Sequence, residues 1–165
     1  MKIGIIGSGN IGANAARLFV RAGHEVVLSN SRGGQGLEAL VSELGAKAKA
    51  ATLEEATHFG EVVLIAIPFG KFKTLPERAF DGKVVIDAGN YYPERDGKFA
   101  ELDNDQTTSS ELMAAHLKGA RLSKALTQSG SSIWQLKAIR VGRWKIGARF
   151  LSLATTRKRR RLWPV

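Results

Sequence analysis

Lys2-Ile3-Gly4-Ile5-Ile6-Gly7-Ser8-Gly9-Asn10-Ile11-Gly12 opens the chain and decides its fold. Lys2 to Ile6 is a short β-favouring run, the glycines come at once, and Ala13 to Ala22 then reads as a helix. The order strand, glycine turn, helix is that of a dinucleotide-binding unit. The first glycine supplies the backbone angles of a tight turn. The second lets a pyrophosphate approach the main chain, and the third lets helix and strand pack closely. The helix N-terminus then faces the phosphates with open N–H donors. Gly7, Ser8, Gly9, Asn10, Ile11 and Gly12 are therefore the expected phosphate-binding residues.

A second strand is expected over Glu25 to Ser29. In sites specific for NAD, an acid near the end of this strand accepts hydrogen bonds from the ribose hydroxyls. Here the chain continues Ser29-Asn30-Ser31-Arg32-Gly33, and the next carboxylate is Glu38. Hydroxyls, an amide and a guanidinium suit a ribose 2′-phosphate. Arg32 would pair with the dianion while Asn30 and Ser31 add neutral hydrogen bonds. The expected cofactor is NADP(H).

Helices are expected over Leu37 to Leu44 and Thr52 to Phe59, the latter opened by a Thr52–Glu55 capping box, with strands over Ala46 to Ala50 and Val62 to Ile67. Further on come a strand over Lys83 to Asp87, a helix over Ser109 to Leu117 and a strand over Ala120 to Ala125. Alternating strands and helices predict an α/β chain with a Rossmann-type, doubly wound parallel sheet. Ligands of such sheets bind outside the carboxyl ends of the strands. This puts Ala66, Ile67 and Pro68 along the cofactor and Asn90 near its nicotinamide half. Asp87 reads as a cap for the following turn, not a catalytic base.

Composition removes other chemistries. The 165 residues contain no cysteine, which excludes disulfides, thiolate metal sites and a cysteine nucleophile. His24, His58 and His116 read as separate surface or capping groups, so no metal is expected. Thr107, Thr108, Ser109 and Ser110 read as a helix-capping cluster with no base beside it. Hydride transfer, carried by the nicotinamide itself, is the chemistry left. No apolar run approaches a membrane span or a secretory leader, and the expected location is the cytoplasm.

Gly7 to Gly12, Ser29-Asn30-Ser31-Arg32-Gly33, Ala66-Ile67-Pro68, and the stretch from Val84-Val85-Ile86-Asp87 through Asn90-Tyr91-Tyr92-Pro93-Glu94-Arg95-Asp96-Gly97 to Ser109-Ser110-Glu111-Leu112 and Lys124-Ala125 resemble the NADPH-dependent F420 reductase family. The resemblance covers residues 1–125. It implies a Rossmann domain that binds NADPH and exchanges hydride with a small-molecule acceptor, coenzyme F420 or a flavin as co-substrate. It also implies a homodimer.

The net charge of +10 is confined to the C-terminal part. Residues 1–120 hold 13 Lys and Arg against all 15 acids, a balance of −2, and residues 121–165 hold the other 12 basic groups. The last acid is Glu111, and the chain closes through Arg157-Lys158-Arg159-Arg160-Arg161. Where the family continues Lys-Ala-Phe-Asn-Thr-Ile, this chain has Leu126-Thr127-Gln128-Ser129. Joining the last base of each codon to the first two of the next lets Leu153 to Trp163 encode Gly-Asp-Asp-Ala-Glu-Ala-Lys-Ala-Thr-Val, which resembles the family's acidic turn. Residues 126–165 are thus expected to be a frame-shifted, poorly ordered basic tail. On this reading neither nucleic acid nor membrane is a partner. Two alternatives stay open: a true basic extension that binds nucleic acid or an anionic membrane, and a cofactor-binding fragment without catalysis.

Overall fold

The computed structural model describes residues 1–125, and the expectations for the basic tail lie outside them. Six strands form one parallel sheet in the order β3-β2-β1-β4-β5-β6. They are β1 (Lys2–Ile6), β2 (Glu25–Ser29), β3 (Ala48–Ala50), β4 (Val62–Ile65), β5 (Val84–Asp87) and β6 (Arg121–Lys124). Helices α1 (Asn10–Arg21), α2 (Glu38–Leu44), α3 (Leu53–Phe59) and α6 (Ser109–His116) cover the faces. The short helices α4 (Pro93–Asp96) and α5 (Ala100–Asp103) lie between β5 and α6. This is the doubly wound Rossmann-type α/β arrangement expected from the alternation.

Period-two alternation divides the core between the two faces. Ile3 and Ile5 of β1, Val26 and Leu28 of β2 and Leu64 of β4 face one cluster, which Ala16 of α1 and Leu37 close. Ile6, Val27, Val63 and Ile65 face the other, closed by Ala56 of α3, Phe69, Phe72 and Met113 of α6. β1 lies between β2 and β4, with Ile3 opposite both Val26 and Val62. The topological switch point is therefore beside the glycine turn.

Element boundaries differ from expectation in instructive ways. α1 begins at Asn10, not Ala13, so Asn10, Ile11 and Gly12 already form its first turn. β4 stops at Ile65: the Ala66 N–H still donates to the Ile6 carbonyl at 2.7 Å, and the chain then leaves the ladder ahead of Pro68. Residues Gly45–Lys47 form a 3-10 turn that shortens β3 at its start. The 3-10 segment Phe69–Thr74 and helices α4 and α5 were not expected. Thr52 caps α3 by the expected capping box with Glu55.

Candidate functional site

The glycine turn joins β1 to α1 at the carboxyl edge of the sheet. Gly7 has φ +103°, a left-handed conformation suited to glycine, and its N–H donates to the Ser29 carbonyl at 2.9 Å. A Cβ on Gly7 would overlap the Ala66 carbonyl, and one on Gly12 would overlap the Gly7 carbonyl oxygen. The turn is thus pressed against Ala66, the residue after β4, on one side and its own helix on the other. Gly9 is different: no described atom lies within 4 Å of the place a Cβ would take. Gly9 is also the N-cap of α1, and no side chain caps the helix there. Open space before uncapped N–H donors fits a pyrophosphate.

Beyond β2, Asn30 organises the loop that carries Arg32. Its Oδ1 accepts from the N–H groups of Arg32 at 2.8 Å and Gly34 at 3.1 Å, and its Nδ2 donates to the Gln35 carbonyl at 2.8 Å. The carboxamide expected to meet a phosphate directly is engaged within the loop. Gly34, with φ +89°, lies against Ala51, where a Cβ would stand 2.9 Å from the backbone. Ser31 and Arg32 are exposed, and Arg32 runs along Gly36. Arg32 makes no ion pair among the described residues. Glu38, the nearby acid, is turned to backbone: its own N–H and that of Gly36 hold the carboxyl below its ordinary range, with a smaller contribution from the charge of Arg32.

Ala66 and Ile67 follow β4 beside the glycine turn, while Asn90 follows β5 with Gly89 against the Ile67 carbonyl. The structure thus brings Gly7 to Gly12, Ala66 to Pro68 and Asn90 to one edge, with Asn30 to Arg32 at the adjoining end of β2. Asp87 caps the turn as expected, accepting the Gly89 N–H on Oδ1 at 2.8 Å. Its Oδ2 accepts from the Ser110 hydroxyl at 2.8 Å and the Lys124 ammonium at 3.1 Å. The Lys124 ammonium also donates to the Gly89 carbonyl. Sequence reasoning missed Lys124 and Ser110 as partners of this carboxylate.

The expected capping cluster is divided. Thr108 caps α6 in a capping box with Glu111, which also accepts from Thr107, whereas Ser110 turns to Asp87. His116, expected at the surface, is mostly covered: its Nε2 lies 2.8 Å from the Leu75 carbonyl and its ring meets Phe72 edge-on. Among the described residues, no three His, Asp or Glu side chains are grouped to hold a metal ion, and no helix is long and apolar enough to cross a membrane.

Next to Asn90, Arg95 grips the Asn90 carbonyl at 2.6 Å and stacks over the Tyr92 ring at 4.8 Å. Asp96, its side chain 1% exposed, pairs with Arg95 at 2.7 Å. Burial would raise its pKa, but hydrogen bonds from Arg95 and from the N–H groups of Tyr92 and Gly70 outweigh burial and hold it below the ordinary value. A depressed folded-state pKa contributes stability above the unfolded carboxyl's pKa of about 3.9, and that contribution is lost as pH falls toward the folded value. Arg95 is half-exposed, so solvent screening reduces the share of the effect that its charge contributes. Asp96→Asn should cost about 1–3 kcal/mol at pH 7. In thermal melts the gap from wild type should narrow at pH 3.5, and an equal gap at both pH values would contradict the assignment.

Residues 2–91 match the family described as NADP oxidoreductase, coenzyme F420-dependent. No curated protein matches the sequence. Among solved structures, a hypothetical protein from Sinorhizobium meliloti is 29% identical, with TM-score 0.63 over 76% of this chain and 60% of its own. A candidate F420-dependent NADP reductase from Arthrobacter sp. FB24 is 19% identical, with TM-score 0.63 over 76% of this chain and 62% of its own. A reductive aminase from Aspergillus terreus, solved with NADPH and ethyl levulinate, is 21% identical, with TM-score 0.54 over 75% of this chain and 40% of its own. The chain therefore aligns with about 60% of the length of the first two structures. The latter two likenesses concern the fold alone. The family match spans more than half of the chain, from β1 through β5, and this protein belongs to the F420-dependent NADP oxidoreductase family.

Proposed function

We propose that this protein binds NADP(H) across the carboxyl edge of its sheet and exchanges hydride with a small-molecule acceptor of the deazaflavin or flavin type. The observation that carries the reading is the pairing of an uncapped helix N-terminus at Gly9 with a β2 terminus that offers Ser31 and Arg32 and no acid. The α1 N-terminus and the backbone of Gly7 to Gly12 hold the pyrophosphate. Arg32 takes the 2′-phosphate, with Ser31 beside it and Asn30 acting through the loop it organises. Ala66, Ile67 and Pro68 flank the ribose on the nicotinamide side, where they exclude water, and Asn90 meets the nicotinamide half. When bound, the cofactor supplies the hydride from its nicotinamide ring, and the acceptor takes up a proton with it.

Support for the acceptor class comes from the family alone, and support for the phosphate sites from the geometry above. Calorimetric titration tests the cofactor part. NADPH should bind at least tenfold more tightly than NADH, since one charge-assisted contact is worth about 1.5–3 kcal/mol. Equal affinities would sink the 2′-phosphate assignment. NADPH binding without oxidation in the presence of F420 or FMN would favour the second reading, a cofactor binder without catalysis. The frame slip in residues 126–165 remains a proposal from the codons, and resequencing codons 120 to 165 decides it.

A further inference from the structure

The glycine turn and Arg32 account for the adenosine and pyrophosphate end of the proposed site, whereas the opposite end holds a charged cluster to which no role has been given. Asp87 is fully buried and Lys124 has a side-chain exposure of 11%. They face each other as the last register pair of β5 and β6. Backbone pairing already ties these strand ends together, since the Ala125 N–H donates to the Asp87 carbonyl at 2.8 Å. A buried ion pair is a poor source of stability, because desolvation of both charges offsets most of their attraction. Its geometry points to a different use. Asp87 Oδ1 accepts the Gly89 N–H, Lys124 Nζ donates to the Gly89 carbonyl, and the Ser110 hydroxyl fixes the second carboxylate oxygen. Both polar groups of residue 89 are thus bonded to opposite charges of one ion pair, and such bonds are roughly twice as strong as neutral ones. The next residue is Asn90, whose own carbonyl is held from the other side by Arg95.

We propose that Lys124 and Asp87, braced by Ser110, are positioning residues that orient the Gly89–Asn90 backbone toward the nicotinamide half of the cofactor. The inference rests on the NADP(H) reading above. It assigns a task to the sixth strand: the adenosine half of the site is built from residues 7–36, and the nicotinamide half depends on a lysine near residue 125. Neither residue touches the cofactor. Each acts through residue 89, whose N–H is held by Asp87 and whose carbonyl is held by Lys124.

The test separates the two ends of the ligand in the full chain. NADPH and 2′,5′-ADP, which carries the 2′-phosphate but no nicotinamide, are titrated calorimetrically into wild type, Lys124→Met, Lys124→Arg and Ser110→Ala. The emission of bound NADPH, which comes from the dihydronicotinamide ring only, is recorded alongside. Lys124→Met should weaken NADPH about tenfold, the equivalent of one lost charge-assisted contact. It should shift the emission toward that of free NADPH and leave 2′,5′-ADP within about twofold. Lys124→Arg should recover part of the NADPH affinity. If Lys124→Met fails to fold, Ser110→Ala, which keeps the ion pair, should show the same selective loss at about threefold. An equal loss for both ligands would reduce the cluster to general structural support and overturn the proposal, as would no loss for either. Wild-type protein that binds neither ligand would overturn the NADP(H) reading itself, a result distinct from both.

Discussion

Gly12→Ala should unfold the protein or leave it several kcal/mol less stable, although alanine is the better helix former and Gly12 lies in the first turn of α1. Helix propensity alone would favour the substitution by about 1 kcal/mol. Against this, the new methyl would overlap the Gly7 carbonyl oxygen, a backbone atom that cannot swing aside. Gly7 is itself pinned between the Ser29 carbonyl and Ala66. Overpacking of a well-packed site costs about 1–3 kcal/mol even where side chains can adjust, and here α1 would have to lift from β1. Urea melts should show an unfolding free energy lower by at least about 3 kcal/mol, and the population that stays folded should lose NADPH affinity because the N–H donors of the turn move. Gly9→Ala is the control at the same turn. No described atom lies where its methyl would go, so folding should survive while the approach of a pyrophosphate is obstructed. Equal melting of Gly12→Ala and wild type would show that the close approach of helix and strand is not as described.

Arg32→Ala should abolish most of the discrimination between NADPH and NADH without affecting the fold. Arg32 is exposed and makes no ion pair among the described residues, so its removal leaves no buried charge behind. The loss expected is about 1.5–3 kcal/mol, a factor of ten to about a hundred in NADPH affinity, with NADH changed by less than about twofold. Added salt should weaken NADPH binding by wild type more than by the variant, since an exposed guanidinium–phosphate contact is screened. If both cofactors lost affinity equally, Arg32 would be supporting the loop and not reading the phosphate.

The fold was legible where local chemistry and position agree. β1, the glycine turn and α1 carry a strand pattern, three glycines at fixed spacing and a helix in immediate succession. Thr52 and Glu55 announce α3 by a contact three residues long. Arg32 could be singled out because an acid is missing where an NAD site needs one. Other features were hidden for physical reasons. α4 and α5 are four residues each, about one helical turn, so no periodicity can reveal them. Asn30 offers a carboxamide that suits either a phosphate or its own loop, and only the backbone path decides between them. The bonds of Asp87 to Ser110 and Lys124 join residues 23 and 37 positions apart, and neither spacing is a motif.

The strand order has a consequence for how ligand and fold depend on each other. β1, β2 and β3 follow one another closely in the chain, whereas β4, the other neighbour of β1, pairs Val62 with Ile3 across about sixty intervening residues. Loop closure makes that second pairing the slower and entropically costlier event. The proposed crevice lies along this seam, with the proposed 2′-phosphate site beside the short-range pairing of β1 with β2 and the proposed nicotinamide site beside the long-range pairing of β1 with β4. A ligand that spans both acts as a clasp on the seam. At a concentration one hundred times its dissociation constant it adds about 2.7 kcal/mol to the docked state. Cofactor supply would then set how long the assembled sheet survives.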